Sequence, residues 1–168
     1  MIAPTLHTGR LTLRMPVLAD FPAYAALMGS ARSVGMGGPF TAEQAWGMFC
    51  HEIACWHLFG HGGLTVVRSD TDEVVGMVEI NAGPLFPEPE LGWQLYDGHE
   101  GQGFATEAAR ALLDWAFAER GLQGLVSYTG PENLASQAVA RRLGAVIDTE
   151  AAVQDEGDIV WRHQRRAA

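Results

Sequence analysis

The sequence predicts a mixed α/β (α+β) domain with a mostly antiparallel sheet. Three observations carry that prediction. Short stretches of period-two apolar residues alternate with stretches of three- to four-residue period. Three strand-like runs follow one another between helices, a meander and not a chain of βαβ units. No long polar or proline/serine-rich linker divides the 168 residues, so one domain spanning residues 1–168 is expected. About seven strands and four helices are expected, in the order β-α-α-β-β-β-α-β-α-β-β.

"RLTLRMP" alternates Leu11 and Leu13 with Thr12 and Arg14 and ends at a proline, which is strand patterning. In "DFPAYAALM" Asp20 is a candidate cap, Pro22 suits the first turn, and Phe21, Tyr24, Leu27 and Met28 form one helical stripe. A glycine-rich connection over 29–39 leads to "TAEQAWGMFCHEIACWHLF". Thr41 and Gln44 form a capping signature there, and Trp46, Phe49, Ile53, Trp56 and Phe59 recur at helical steps. "GGLTVVRSD" and "DEVVGMVEIN" read as strands around a polar turn. After a loop with three prolines, "ELGWQLY" adds another strand. Residues 103–120 form the strongest helix, with Phe104, Ala108, Leu112, Trp115 and Phe117 or Ala118 inward and Gly121 as its stop. "GLVSYTG" is a strand. "PENLASQAVARRLG" is a short helix with Leu134, Ala138 and Leu143 inward, and "AVIDTEA" with "GDIVWRHQ" forms an antiparallel pair.

Hydrophobic residues at 48% and charged residues at 18% supply a core and give no case for disorder. A net charge of -9 argues against nucleic-acid binding, which needs Lys and Arg to neutralise phosphates. It favours solubility first and cationic substrates second. Cys50 and Cys55 are five apart on a helix and face different ways, so they read as reduced, packed thiols. No apolar run reaches the ~18 residues of a membrane span. "MIAPTLHTGR" lacks the pattern of a signal peptide, and a cytoplasmic location is expected. His57 and His61 have metal-ligand spacing but lack a third ligand, so no metal is expected.

The densest chemistry lies in "HEGQGFATEAAR", residues 99–110. Gly101 and Gly103 permit backbone that side chains forbid. The N–H groups from Gln102 to Thr106 would open the helix toward an anion. The stretch matches neither G-x-x-x-x-G-K-[ST] nor the dinucleotide fingerprint.

"ELGWQLYDGHEGQGFATEAARALLDWAFAERGL" followed by "PENLASQAVARRLGA" resembles the acetyl-CoA-binding core of the GNAT N-acyltransferases. "GRLTLRMPVLADFPAYAALM" is similar to the opening of their ribosomal-protein N-terminal (RimJ/RimL-type) branch. The resemblance implies a GNAT-like domain and acetyl-CoA as acyl donor. It also implies direct transfer in a ternary complex to a small-molecule or peptide amine, with homodimerisation left open. Glu100-x-x-Gly103-x-Ala105 matches the family's [Q/R]-x-x-G-x-[G/A] loop except at Glu100, whose carboxylate is expected to turn to solvent. The resemblance implies pyrophosphate contacts from the main chain of Gln102, Gly103, Phe104, Ala105 and Thr106. The arm of the donor would lie on the backbone of Gln94, Leu95 and Tyr96. Asn133 and Ser136, in a family-like Asn-x-x-Ser, would face the pantetheine and the sulfur, although Asn133 is equally a helix cap. Arg142, or Arg141, would reach the outer phosphates.

Glu90 is the implied catalytic base, with Glu79 on the adjacent strand as its rival. Ser136 is the candidate donor to the thiolate, ahead of Tyr128. Met36, Phe40 and Trp46 are candidate acceptor-lining residues. A non-catalytic acyl-CoA-binding or sensing module on the same fold is the alternative reading.

Overall fold

Alternation of small apolar and polar residues builds eight strands into one sheet, seen in a computed structural model that describes residues 3–165. Met1, Ile2 and residues 166–168 of the expected domain lie outside the described residues. The strands are β1 (Leu6–His7), β2 (Leu11–Arg14), β3 (Gly63–Arg68), β4 (Val74–Asn81), β5 (Glu90–Leu95), β6 (Gly124–Thr129), β7 (Val146–Ile147) and β8 (Ile159–Gln164). Their order across the sheet is β1-β2-β3-β4-β5-β6-β8-β7. The helices are α1 (Phe21–Met28), α2 (Ala42–Leu58), α3 (Phe104–Ala118) and α4 (Leu134–Leu143). Short 3-10 turns cover Leu18–Asp20 and Ala31–Met36. One strand more than expected is present. β1 has only two residues, too few to show alternation, and it pairs with Leu13 and Thr12.

Every neighbouring pair of strands is antiparallel except β5 and β6. Cross-strand partners share a face. One face therefore carries Leu13, Val66, Leu64, Val78, Ile80 and Leu91, which pack with Ala108, Leu112 and Ala116 of α3 into the main core. Full burial of each large aliphatic side chain contributes about 1.5–3 kcal/mol. The opposite face carries Met77, which packs with Tyr24, Met28, Ala45 and Phe49 of α1 and α2. It also carries a polar row that leads into the site. Thr41 and Gln44 form the expected capping box of α2.

Two expectations are corrected. Asp20 precedes α1 but makes no side-chain cap there. Its carboxylate is 3% exposed and accepts from Arg14 Nη1 and Nη2 at 2.8 and 2.9 Å, from the Val17 N–H at 2.9 Å and from Thr65 Oγ1 at 2.8 Å. It thus ties β2 to β3. Leu134 is 69% exposed because Asn133 caps α4 and turns its first position outward. Gln137, Val139, Ala140 and Leu143 form the buried side instead.

Burial opposes ionisation of Asp20, but hydrogen bonds from Arg14, Val17 and Thr65 outweigh it and hold the carboxyl below its ordinary value. That contribution is present above the unfolded-state pKa of about 3.9 and is lost as pH falls through the lower folded-state value. Asp20→Asn is expected to reduce unfolding free energy by about 3 kcal/mol at pH 7. Urea denaturation should show that deficit shrinking below pH 4.

Candidate active site

β5 and β6 share only the Glu90–Val126 pair and then separate. The gap opens into a cleft of about 1320 Å³. Its lips are β5 with the loop leading to α3 on one side, and β6 with the start of α4 on the other.

The loop is shaped by Gly101 and Gly103, at φ +75° and +82°, a region that L side chains avoid. Gly103 is the N-cap of α3, and no side chain caps the helix. Among the described residues, no hydrogen bond uses the N–H groups of Gln102 to Thr106. These groups and the helix dipole form an anion cradle. Arg10 clamps it: Nη1 donates to the Gln102 carbonyl at 3.0 Å, Nε donates to Glu107 at 2.7 Å, and the guanidinium lies 4.7 Å from the Phe104 ring centroid. Arg110 and Arg142 line the same cleft, with Arg110 donating to the Arg142 carbonyl. Arg141 instead stacks on Trp161, 5.0 Å from its ring centroid. The unpaired N–H groups and nearby guanidiniums fit a pyrophosphate.

Gly103, Ala105, Thr106, Gln94, Leu95, Glu90, Asn133, Ser136, Arg142 and Met36 all line the cleft. The Phe104 side chain is core, leaving only its main chain to the loop. Gln102 is exposed on the loop. The Tyr96 N–H bonds to the Val75 carbonyl. By strand alternation, the main-chain groups of Trp93 and Leu95 face the cleft, while those of Gln94 and Tyr96 face β4. Phe40 packs beside α1 and α2, and Trp46 sits edge-on to Phe21 at 4.9 Å, so neither lines the cleft. Glu100 does not turn freely to solvent. It pairs with Arg32, which also donates to the Leu95 carbonyl at 2.9 Å.

On the second lip, Asn133 Oδ1 accepts from the Ser136 N–H at 3.0 Å and so caps α4, leaving its Nδ2 on the side of Gly35. The Tyr128 hydroxyl is buried without a partner, and burial pushes it up to about 12. Cys50 and Cys55 are free thiols, as expected. His61 is buried on the Ile80 carbonyl, and His57 is exposed.

Glu79 and Glu90 line the cleft floor, and a third carboxyl, Glu52, is buried beside it next to the Asn81 amide. Glu90 faces the cleft, and burial, only partly offset by a hydrogen bond from Asn81, pushes it up to about 7. Glu79 is 8% exposed, has an unpartnered Oε2 and projects over Gly92, where a Cβ would meet its Oε1 at 2.4 Å. Glu52 comes from α2, is 5% exposed and projects over Gly63, where a Cβ would meet its own Cβ at 2.8 Å. Gly63, Glu79 and Gly92 are register partners across three strands. The two missing side chains make room for the two carboxyls. Burial raises Glu52 and Glu79 well above the usual carboxylate range, and neighbouring carboxylates add to the effect.

Sequence reasoning missed Arg10, Arg32, Glu52, Asn81 and Trp93 as parts of this site. Glu52 carried a signal: it interrupts the apolar stripe of α2 between Phe49 and Trp56. Gly63 and Gly92, isolated inside strands, carried another.

The cleft thus sets a helix start with free N–H groups against carboxyls in the fork of a split sheet. Residues 10–146 match the model of the acetyltransferase (GNAT) domain, and the chain belongs to that family. It is 31% identical over 141 residues to p20, an uncharacterised N-acetyltransferase of Bacillus licheniformis, covering 79% of this chain and 76% of p20. The crystal structure of an acetyltransferase from Agrobacterium tumefaciens is 53% identical, with a TM-score of 0.95 over 98% of this chain and 96% of that one. RimL, a ribosomal L7/L12 alpha-N-protein acetyltransferase, shares the fold at 21% identity and a TM-score of 0.74, over 98% of both chains in its coenzyme A complex. Some curated matches span only 32% or 64% of the relative's length. Membership of that family makes the chain an acyltransferase. Among the described residues no helix is long and apolar enough to cross a membrane, and no group of three or more His, Cys, Asp or Glu is placed to hold a metal ion.

Two measurements test this geometry. Gly103→Val, which forces a side chain into left-handed backbone and crowds the cradle, should weaken CoA binding at least about tenfold by calorimetry while leaving the circular dichroism spectrum intact. Glu52 is raised above its unfolded value, so its contribution is present below the unfolded pKa of about 4.3 and is lost as pH rises through the folded value. Glu52→Gln should therefore raise the melting temperature about 3 °C more at pH 8 than at pH 5.

Proposed function

We propose that the protein transfers an acetyl group from acetyl-CoA directly to a primary amine, on a peptide N-terminus or a small molecule, within a ternary complex. The observation that carries this reading is the position of Glu90 at the fork where β5 and β6 part, between the donor-lined loop and Ser136. The thioester supplies an electrophilic acyl carbonyl and a thiolate leaving group.

The main-chain N–H groups of Gln102 to Thr106, with Arg142, hold the phosphates. The main-chain groups of Trp93 and Leu95 take the arm as a neighbouring strand would, and one of their N–H groups polarises the carbonyl. Arg32 must release the Leu95 carbonyl for that pairing. The acceptor arrives as an ammonium with pKa about 10, and removing its proton at pH 7 costs about 4 kcal/mol. Glu90, poised near neutrality, takes that proton. The free amine forms the new C–N bond, the C–S bond breaks, and the amine's second proton passes to the thiolate through Ser136. One proton is released to water in each turnover. Neither cysteine lines the cleft: Cys50 and Cys55 lie on α2 outside its lining, in keeping with transfer without an acyl-enzyme.

A thiol-release assay across a panel of peptides and small amines is expected to find at least one accelerating acceptor with intersecting double-reciprocal plots. CoA binding with no turnover on any amine would overturn the reading in favour of a sensing module. Glu90→Gln should lower kcat/KM by about 10²-fold or more near pH 7, with the loss shrinking above pH 9 where free amine is abundant. Ser136→Ala should lower kcat more than Tyr128→Phe does.

A further inference from the structure

Asn81 is the register partner of Glu90, and its side-chain amide lies between Glu90 and Glu52. In one orientation Nδ2 donates to Glu90 Oε2 at 3.4 Å. In the other it donates to both oxygens of Glu52, at 3.1 and 3.2 Å. A primary amide has one donating and one accepting end. The carboxyl facing its oxygen must be protonated to donate, whereas the carboxyl facing its nitrogen accepts in either form and most strongly when ionised. The amide is therefore bound most strongly when one of the two carboxyls carries a proton and the other does not.

We propose that Glu52 is a positioning residue for the reaction: through Asn81 it holds the complementary proton that keeps Glu90 ionised and ready to receive the acceptor's proton. The inference rests on Glu90 as the base. Before turnover, Glu52 is protonated and donates to Asn81 Oδ1, while Nδ2 donates to the Glu90 carboxylate. When Glu90 takes the ammonium proton, the amide turns. Glu90 then donates to Oδ1 and the Glu52 carboxylate accepts from Nδ2. The proton leaving Glu52 passes to Glu79, whose unpartnered Oε2 belongs to a side chain lining the cleft, and from there to water. After product release Glu90 gives its proton to water in the cleft and Glu52 is reprotonated through Glu79, which restores the starting state with one proton released per turnover.

Among the described residues, no Lys, Arg or His forms an ion pair with these three carboxyls. The titratable groups that act on Glu52, Glu79 and Glu90, or feel their charge, are Tyr24 of α1, Cys55 of α2, Tyr96 after β5, Tyr128 of β6 and Asp158 before β8. None of them is basic. Burial raises Glu52 and Glu79 in support of a neutral Glu52 at rest. The pocket in which Glu52 lies exists because position 63 is glycine.

The test is the acidic limb of the kcat/KM–pH profile with the best acceptor, together with carbon-13 NMR titration of the glutamate carboxyls in the CoA-free protein. Glu52→Gln removes the neighbour that can become negative, so the Glu90 titration should move down by about one pH unit in both measurements. Asn81→Leu removes the hydrogen bond to the Glu90 carboxylate, so the same titration should move up by about as much. Opposite shifts in the two variants support the linkage. A limb and an NMR midpoint that stay in place in both variants would overturn it, since a purely structural role changes melting temperature or rate without moving either. If one variant fails to fold, the other still decides by its own predicted direction. If Glu90→Gln leaves the wild-type limb in place, the base assignment itself has failed, which is a different result from a Glu90 limb that ignores Glu52.

Discussion

The site depends on the parallel pairing of β5 and β6, which stops after one residue pair. Parallel neighbours inside an otherwise antiparallel sheet need a crossover connection, and here α3 supplies it. The start of that crossover, just beyond the end of β5, presents the open end of a helix beside the split. Past the split, β5 has an edge with unpaired main-chain groups at Trp93 and Leu95. An exposed edge of that kind is usually a liability. Here a long ligand can complete it, and Arg32 holds the Leu95 carbonyl in the meantime.

Two kinds of electrostatics share the cleft. Its loop end is arranged for negative charge by helix N–H groups, with Arg110 and Arg142 nearby. Its floor is arranged for protons, with Glu79 and Glu90 on it, Glu52 buried beside it, and none of the three paired with a basic residue among the described residues. The separation matters because a cation among the carboxyls would hold them ionised with low basicity, and Glu90 would lose its capacity to bind a proton at neutral pH. Asp20 is the contrast within the same molecule. It too is buried, but Arg14 holds it ionised, and its work is to join strands. Glycines at 63 and 92 complete the arrangement by leaving room for acidic side chains that a normal strand would exclude.

The loop to α3 was legible because its features are local: glycines, a helix start and a spacing that resembles a known family within one short stretch. The place of Glu90 at the start of β5 was legible for the same reason. Arg10 was not, because its partners Gln102 and Glu107 are more than ninety residues away in the chain. Which main-chain groups of β5 face the cleft was not legible, since only pairing with β4 shows that those of Gln94 and Tyr96 are taken and those of Trp93 and Leu95 are turned the other way. Place in the chain makes Phe40 and Trp46 candidate lining residues, but aromatic packing on α1 and α2 takes them out of the cleft.

Sequence by itself determined the class of fold, the order of nearly all its elements and the glycine-shaped start of α3, because periodicity, capping and backbone freedom act between residues a few positions apart. It also determined that Glu52 breaks an apolar stripe, without saying why. Tertiary structure decided the remainder: which edge of β5 stays open, that Glu100 is answered by Arg32, and that Glu52, Asn81 and Glu90 meet. Those contacts join segments tens of residues apart, and their chemistry follows from burial, which no single segment possesses until the sheet and its helices have closed around it.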